Sequence, residues 1–221
     1  MGKLNDSVIK AFGDGLVNSI TSHLIECSQK MKFDSIATGE LLEGKENIIT
    51  NNLVEKYLNA GSNDIRYILE TSETLDDETG RHIGRADIRV FSCNHFKIDS
   101  KAYFIIECKL IDGYTTPNKD YIVDGVSRFF VPALNPKYPS YYKRNIMFGY
   151  VVKAINIPCN ANKIDKLQSS LLADLSAEKF VFVQNENLQH YVYTCKYTSP
   201  HIGNIELTHL FLNFTDAIYR K

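Results

Sequence analysis

The sequence predicts an α/β fold in which a mixed central β-sheet is flanked by α-helices. Three observations predict it. Apolar residues recur at helical spacing in some segments and alternate at strand spacing in others. Two neighbouring apolar segments read as a hairpin, with a helix before it and another after it. At 221 residues the chain suits one domain with a sizeable core, expected to span 1–221.

In chain order, Leu16, Val17, Ile20, Leu24, Cys27 and Met31 lie at helical spacing, and Gly13 and Gly15 are expected to mark that helix's start. Ile48, Ile49, Leu53, Val54, Tyr57 and Leu58 form an amphipathic stripe with Gly61 as its stop. Ile65, Tyr67 and Leu69 alternate, which predicts a strand over 64–71. A polar, acid-rich loop is expected over 72–84, then the hairpin, then a helix over 121–131. Residues 146–157 are apolar on both faces and read as a strand or a buried helix; length does not decide. Ile164, Leu167, Leu171, Leu172 and Leu175 predict a helix over 162–175. Strands are expected over 179–183, 191–197 and 205–213.

The hairpin carries the chemistry. Its segments read GRADIRVF and KAYFIIECKLID, and they place Asp87, Glu107 and Lys109 on otherwise apolar strands. Burying charge is costly unless it is paired or binds a metal. An antiparallel pairing centred near Lys97, within 93–100, sets Asp87 and Glu107 at equal distances from the turn and hence opposite one another. Side chains alternate along a strand, so Lys109 shares that face, while Cys108 turns away with Ile106 and Leu110. A slip of one residue would move a whole strand to the other face. Two carboxylates and a lysine brought together in this way suit phosphodiester hydrolysis with a divalent cation. The plain alternative is a structural salt bridge at a strand end.

This pattern resembles the PD-(D/E)XK phosphodiesterase superfamily. Ala86-Asp87 stands where the family has Pro-Asp, and Glu107-Cys108-Lys109 supplies the acid–x–lysine triplet at the end of a long apolar strand. The resemblance implies a restriction-endonuclease-like core and a catalytic set of Asp87, Glu107 and Lys109. It implies Mg2+ or Mn2+ held by Asp87, Glu107 and the backbone carbonyl of Cys108. It also implies a further acid on the helix before the sheet. Glu46 is the candidate, with Glu43 and Glu55 as competitors; a first-turn acid is equally well explained by the helix dipole.

Candidate nucleic-acid contacts are Arg85, Arg128, Lys143 and Arg144. Arg128 matches phosphate geometry, and a surface pair with Asp124 is its alternative. Tyr121, Asp124 and Arg128 would share a helix face. Residues 137–144 interleave tyrosines and cations, as a stacking surface for nucleic acid or a loop packed on the core. Arg81 and His82 stand near Asp87 in sequence; His209 alternates with apolar residues and reads as structural.

The chain is 44% hydrophobic and 23% charged, as a soluble globular protein would be, and its net charge is −1, so any binding to nucleic acid needs cations gathered locally. Five cysteines without C-x-x-C spacing argue against a disulfide framework or a zinc site. No leader or membrane span is expected, which suggests a cytoplasmic protein. The expected function is hydrolysis of DNA by a metal-dependent endonuclease. The resemblance places it in bacterial restriction or anti-phage defence, as a homodimer or as a partner subunit of a defence complex. An RNA-directed nuclease, or a noncatalytic nuclease-like module that binds nucleic acid or protein, are the alternatives.

Overall fold

A computed structural model describes residues 6–219 apart from 61–63, 74, 77–80, 83, 94–98, 132–135, 140–141, 173–174 and 187–188. The expected hairpin centre at Lys97 and helix stop at Gly61 lie outside the described residues.

The chain is a mixed sheet with helices on both faces. Helix α1 runs Asp6–Thr38 and α2 runs Glu46–Leu53, continued by a π-helical turn at Val54–Leu58. Strand β1 (Ile65–Ser72) precedes a two-stranded ribbon, β2 (Leu75–Asp76) with β3 (Arg81–His82), inside the expected polar loop. The hairpin strands are β4 (Arg85–Ser92) and β5 (Phe104–Ile111). After α3 (Thr115–Val123) and a 3-10 turn at Val126–Phe129 come β6 (Arg144–Val151) and α4 (Ile157–Leu171). Strands β7 (Ser176–Ala177), β8 (Val181–Glu186), β9 (His190–Ser199) and β10 (Gly203–Asn213) complete the sheet.

The strand order is β1-β4-β5-β6-β10-β9-β7, with β8 also on β9. The pairs β5–β6 and β6–β10 are parallel; β1–β4, β4–β5 and β10–β9 are antiparallel. Strand β6 sits between parallel neighbours and is buried on both faces, which is why its sequence lacks alternation. One face packs on α1 and α2 through Ile88, Ile106, Cys108 and Phe148 with Ile20, Leu24, Ile49 and Leu53. The other face packs on α3, the 3-10 turn and α4 through Ile105, Met147 and Phe211 with Tyr121, Phe129 and Ile164.

Several boundaries differ from expectation. Helix α1 begins before Gly13 and Gly15 and passes through both. A helix-interior glycine costs about 1 kcal/mol, and the buried face of Val17, Ile20 and Leu24 offsets that cost. The helix expected over 121–131 starts earlier, at Thr115, with Pro117 in the first turn where no intrahelical N–H bond is lost. It ends before Gly125, where an added Cβ would lie 2.4 Å from the Tyr121 carbonyl oxygen. Helix α4 also starts early, because the Asn156 side chain accepts the Cys159 N–H at 2.9 Å as an N-cap.

No described helix is long and apolar enough to cross a membrane.

Candidate functional site

The site lies where β4 and β5 stop pairing. Their ladder joins Val90 to Phe104, Arg89 to Ile105 and Ile88 to Ile106. The same register carried one step further places Asp87 opposite Glu107, as the sequence expected. There the ladder ends, while β5 continues to Ile111. The two β5 N–H groups left facing the gap are taken by carboxylates. Asp87 Oδ2 accepts from Cys108 N at 2.7 Å, and Glu46 Oε2 accepts from Leu110 N at 3.2 Å. A buried backbone donor needs a partner, so these acids are fixed by the local end of the sheet. Glu46 is there because α2 begins with it. Of its competitors, Glu43 pairs with Lys45 at 2.6 Å on the surface, and Glu55 is exposed.

Lys109 stands at the centre of this arrangement. Its Nζ is 2.6 Å from Glu107 Oε1, 2.8 Å from the Cys108 carbonyl oxygen, 3.2 Å from Glu46 Oε1 and 4.0 Å from Asp87 Oδ2. An ammonium therefore sits in a cage of oxygens from the four groups expected to hold a metal. Glu107 is fully buried and receives two more partners. Arg128 Nη1 is 3.0 Å from Oε1, and the Tyr138 hydroxyl is 2.6 Å from Oε2. The Tyr138 oxygen also accepts from Arg128 Nη1 at 2.6 Å and lies 2.7 Å from the Arg85 carbonyl oxygen. A hydroxyl has one proton. With Glu107 ionised, Tyr138 donates to Glu107; with Glu107 neutral, Glu107 can donate to Tyr138 and Tyr138 to Arg85.

Burial pushes the Glu107 carboxyl up to about 8, and the neighbouring Asp87 charge adds to this, while Lys109 and Arg128 oppose it. Burial likewise raises Glu46, against the pull of Lys109. For Lys109 burial works against the charge, but Glu107, Asp87 and Glu46 together hold its pKa above the ordinary lysine value. The ammonium is thus firmly protonated. Burial is the main reason the Tyr138 phenol is raised, followed by Glu107.

A cleft of about 310 Å³ is lined by Glu46, Gly84, Arg85, Asp87, Lys109, Arg128, Lys137 and Tyr138. A second hollow of about 170 Å³ shares Glu46, Arg85 and Asp87. The wall at Gly84 is tight: a Cβ there would lie 2.1 Å from the Lys137 carbonyl oxygen.

The other sequence candidates separate. Arg128 joins the site, through Glu107 and Tyr138 rather than through Asp124. It sits on the 3-10 turn beyond the end of α3, so Tyr121 and Arg128 share no helix face; the Tyr121 hydroxyl instead bonds His209 Nδ1 at 2.9 Å. Arg85 lines the cleft and pairs with Glu70 at 3.4 Å. Arg144 is engaged away from the cleft by Asp14 and by Glu206 at 2.5 Å. Lys143 reaches the Ile202 carbonyl oxygen at 3.5 Å. Arg81 is exposed, and His82 Nδ1 meets the Glu73 carbonyl oxygen at 3.0 Å. His201 is exposed. His209 is buried between Tyr121 and Tyr197, the structural role expected of it.

Two residues of the site carried no sequence signal of their own. Tyr138 was one of several tyrosines in 137–144, and only the return of that segment onto β5 singles it out. Glu70 faces Asp87 in the β1–β4 register at a break in the pairing, with a left-handed φ of 48°.

The donor set is hard oxygen throughout, which suits Mg2+ or Mn2+. Among the described residues no three His, Cys, Asp or Glu side chains are arranged to hold a metal ion. The reason is local: Lys109 lies between the carboxylates, and both Glu107 oxygens are engaged. The oxygens surround the Lys109 ammonium. No family model, curated protein or solved structure matches the chain.

Proposed function

We propose that this protein is a metal-dependent nuclease that hydrolyses phosphodiester bonds of DNA, on a restriction-endonuclease-like core. The observation that carries the reading is the oxygen cage around Lys109 Nζ, built by Asp87, Glu107, Glu46 and the Cys108 carbonyl at the end of the β4–β5 pairing. The parallel β5–β6 pair and helices on both sheet faces support the same reading. Mg2+ or Mn2+ bound there would supply an activated water and offset the charge of the transition state. Asp87, Glu107, Glu46 and the Cys108 carbonyl are the groups that would hold it.

Lys109 would orient or deprotonate the attacking water, or stabilise developing negative charge. Arg85 and Lys137 on the cleft wall, with Arg128, supply the local positive charge that a chain of net charge −1 needs to hold a phosphate. The resemblance further suggests bacterial restriction or anti-phage defence in the cytoplasm, as a homodimer or as a subunit of a defence complex.

The test is incubation of purified protein with plasmid, linear duplex, single-stranded DNA and RNA, in Mg2+, Mn2+ or EDTA. Cleavage of DNA that EDTA abolishes supports the reading; cleavage of RNA alone moves it to an RNA-directed nuclease. One observation favours a noncatalytic module instead: Glu107 has both oxygens engaged by protein groups. Tight DNA binding without cleavage under every metal would establish that alternative.

A further inference from the structure

A cation that approaches Glu107 Oε1 meets two cationic side chains already there. Lys109 and Arg128 both contact Oε1, and Tyr138 contacts Oε2. Tyr138 and Arg128 are held differently. Tyr138 is fully buried, packs edge-on against Phe129 with ring centroids 5.3 Å apart, and is tied by its N–H to the Arg128 carbonyl at 3.0 Å. It has nowhere to go. Arg128 is on the open cleft, with a side chain 27% exposed, and its buried Nε has no hydrogen-bond partner among the described residues. A guanidinium presents donors in a fork that fits a carboxylate or a phosphate equally well. Here it is only partly used.

We propose that Arg128 is a shared counter-ion that couples metal binding to phosphate binding, and that Tyr138 is the positioning residue that keeps Glu107 in place during the exchange. This rests on the nuclease reading and deepens it. Without ligands, Arg128 neutralises Glu107 and competes with any divalent cation for Oε1. When a divalent cation takes Oε1, the guanidinium is released into the same cleft, where a diester phosphate accepts from it. Each ligand thereby removes an obstacle to the other, and by linkage the gain is the same in both directions. Tyr138 retains Oε2 throughout, so Glu107 does not rotate when Arg128 leaves.

The test is calorimetric titration of Mn2+ into wild type, Arg128→Met, Arg128→Lys and Tyr138→Phe, alone and with a short DNA duplex carrying phosphorothioate linkages that resist cleavage. An opposite charge in contact with a carboxylate is worth about tenfold or more in cation competition. Wild type is therefore expected to bind Mn2+ about tenfold more tightly with DNA present than without it. Arg128→Met should bind Mn2+ about tenfold more tightly than wild type in the absence of DNA, and should show no gain on adding DNA. Arg128→Lys should keep part of the coupling. Tyr138→Phe should weaken Mn2+ binding with and without DNA.

A role in folding alone would not move metal affinity upward, as Arg128→Met is expected to do. Wild-type Mn2+ affinity and wild-type DNA gain in both Arg128 variants would overturn the proposal while leaving the nuclease reading intact. If Arg128→Met does not fold, the same outcome in Arg128→Lys and Tyr138→Phe overturns it. Wild type that binds Mn2+ neither alone nor with DNA defeats the nuclease reading, and this inference with it.

Discussion

Asp87 caps the backbone of Cys108: its Oδ2 accepts the Cys108 N–H at 2.7 Å, at the step where β4 ceases to pair with β5. The acid that the sequence offers as a metal ligand is therefore also part of the sheet's hydrogen-bond accounting. The two roles can be separated by substitution. Asp87→Asn keeps an acceptor oxygen for the N–H and removes the charge; Asp87→Ala removes both. Both variants should lose nuclease activity. Only Asp87→Ala should also lose stability, by about 1–3 kcal/mol for an unsatisfied buried donor. Urea unfolding of the pair checks this, and equal stability of the two would show that the cap does not matter.

Gly84 faces the Lys137 carbonyl so closely that a side chain has no room. Gly84→Ala must push residues 137 and 138 away from β4, and Tyr138 with them. Overpacking of this kind costs about 1–3 kcal/mol. Activity should fall although no charge is altered. Thermal melts and cleavage rates read the two effects; an alanine variant as stable and active as wild type would show that the contact yields freely.

Arg85 and Arg144 are both sequence candidates for nucleic-acid contact, and the structure separates them. Arg85 lines the cleft, and Arg144 is held by Asp14 and Glu206. In DNA affinity measured across a salt series, Arg85→Ala should reduce the slope of log K against log salt by about one. Arg144→Ala should leave that slope unchanged and lower stability by about 1 kcal/mol or less through its lost ion pairs. The reverse pattern would relocate the binding surface.

The constellation was legible because strand pairing obeys a simple geometry. Equal spacing from an expected hairpin centre sets Asp87 against Glu107, alternation brings Lys109 to the same face, and the pairs from Ile88 to Val90 keep that register. Glu46 was legible as a helix start with a dipole-favoured acid. Arg128 was found, but its partner was not. The pair with Asp124 assumed one continuous helix, whereas α3 ends at Val123 and Arg128 lies on the 3-10 turn that follows. Tyr138 depends on a contact between residues 31 apart in the chain, which no local pattern encodes. The start of α1 was missed for a different reason: glycine propensity is a weak local term, and a buried helical face overrides it.

His209 gives a pH dependence unrelated to the cleft. Burial lowers its pKa to about 3, from an ordinary histidine value of 6.5. The unfolded chain therefore binds a proton below 6.5 that the folded chain refuses. Stability from this group is fully present above pH 6.5 and is lost as pH falls toward 3. At pH 5 the loss is about 2 kcal/mol. His209→Asn should flatten this part of the curve, as read from urea unfolding between pH 7 and pH 4, whatever its effect at neutral pH. An unchanged acid slope in that variant would mean that other groups set it.

The most direct measurement is plasmid cleavage by wild type and by Glu107→Gln under Mg2+, with EDTA as the control. Glutamine keeps the shape of residue 107 and its contact to Tyr138 but removes the charge that a cation needs. The account predicts cutting by wild type in Mg2+, none in EDTA, and a loss of about a hundredfold or more in Glu107→Gln with its circular dichroism unchanged. Cutting that survives EDTA, or a Glu107→Gln protein as active as wild type, would contradict it.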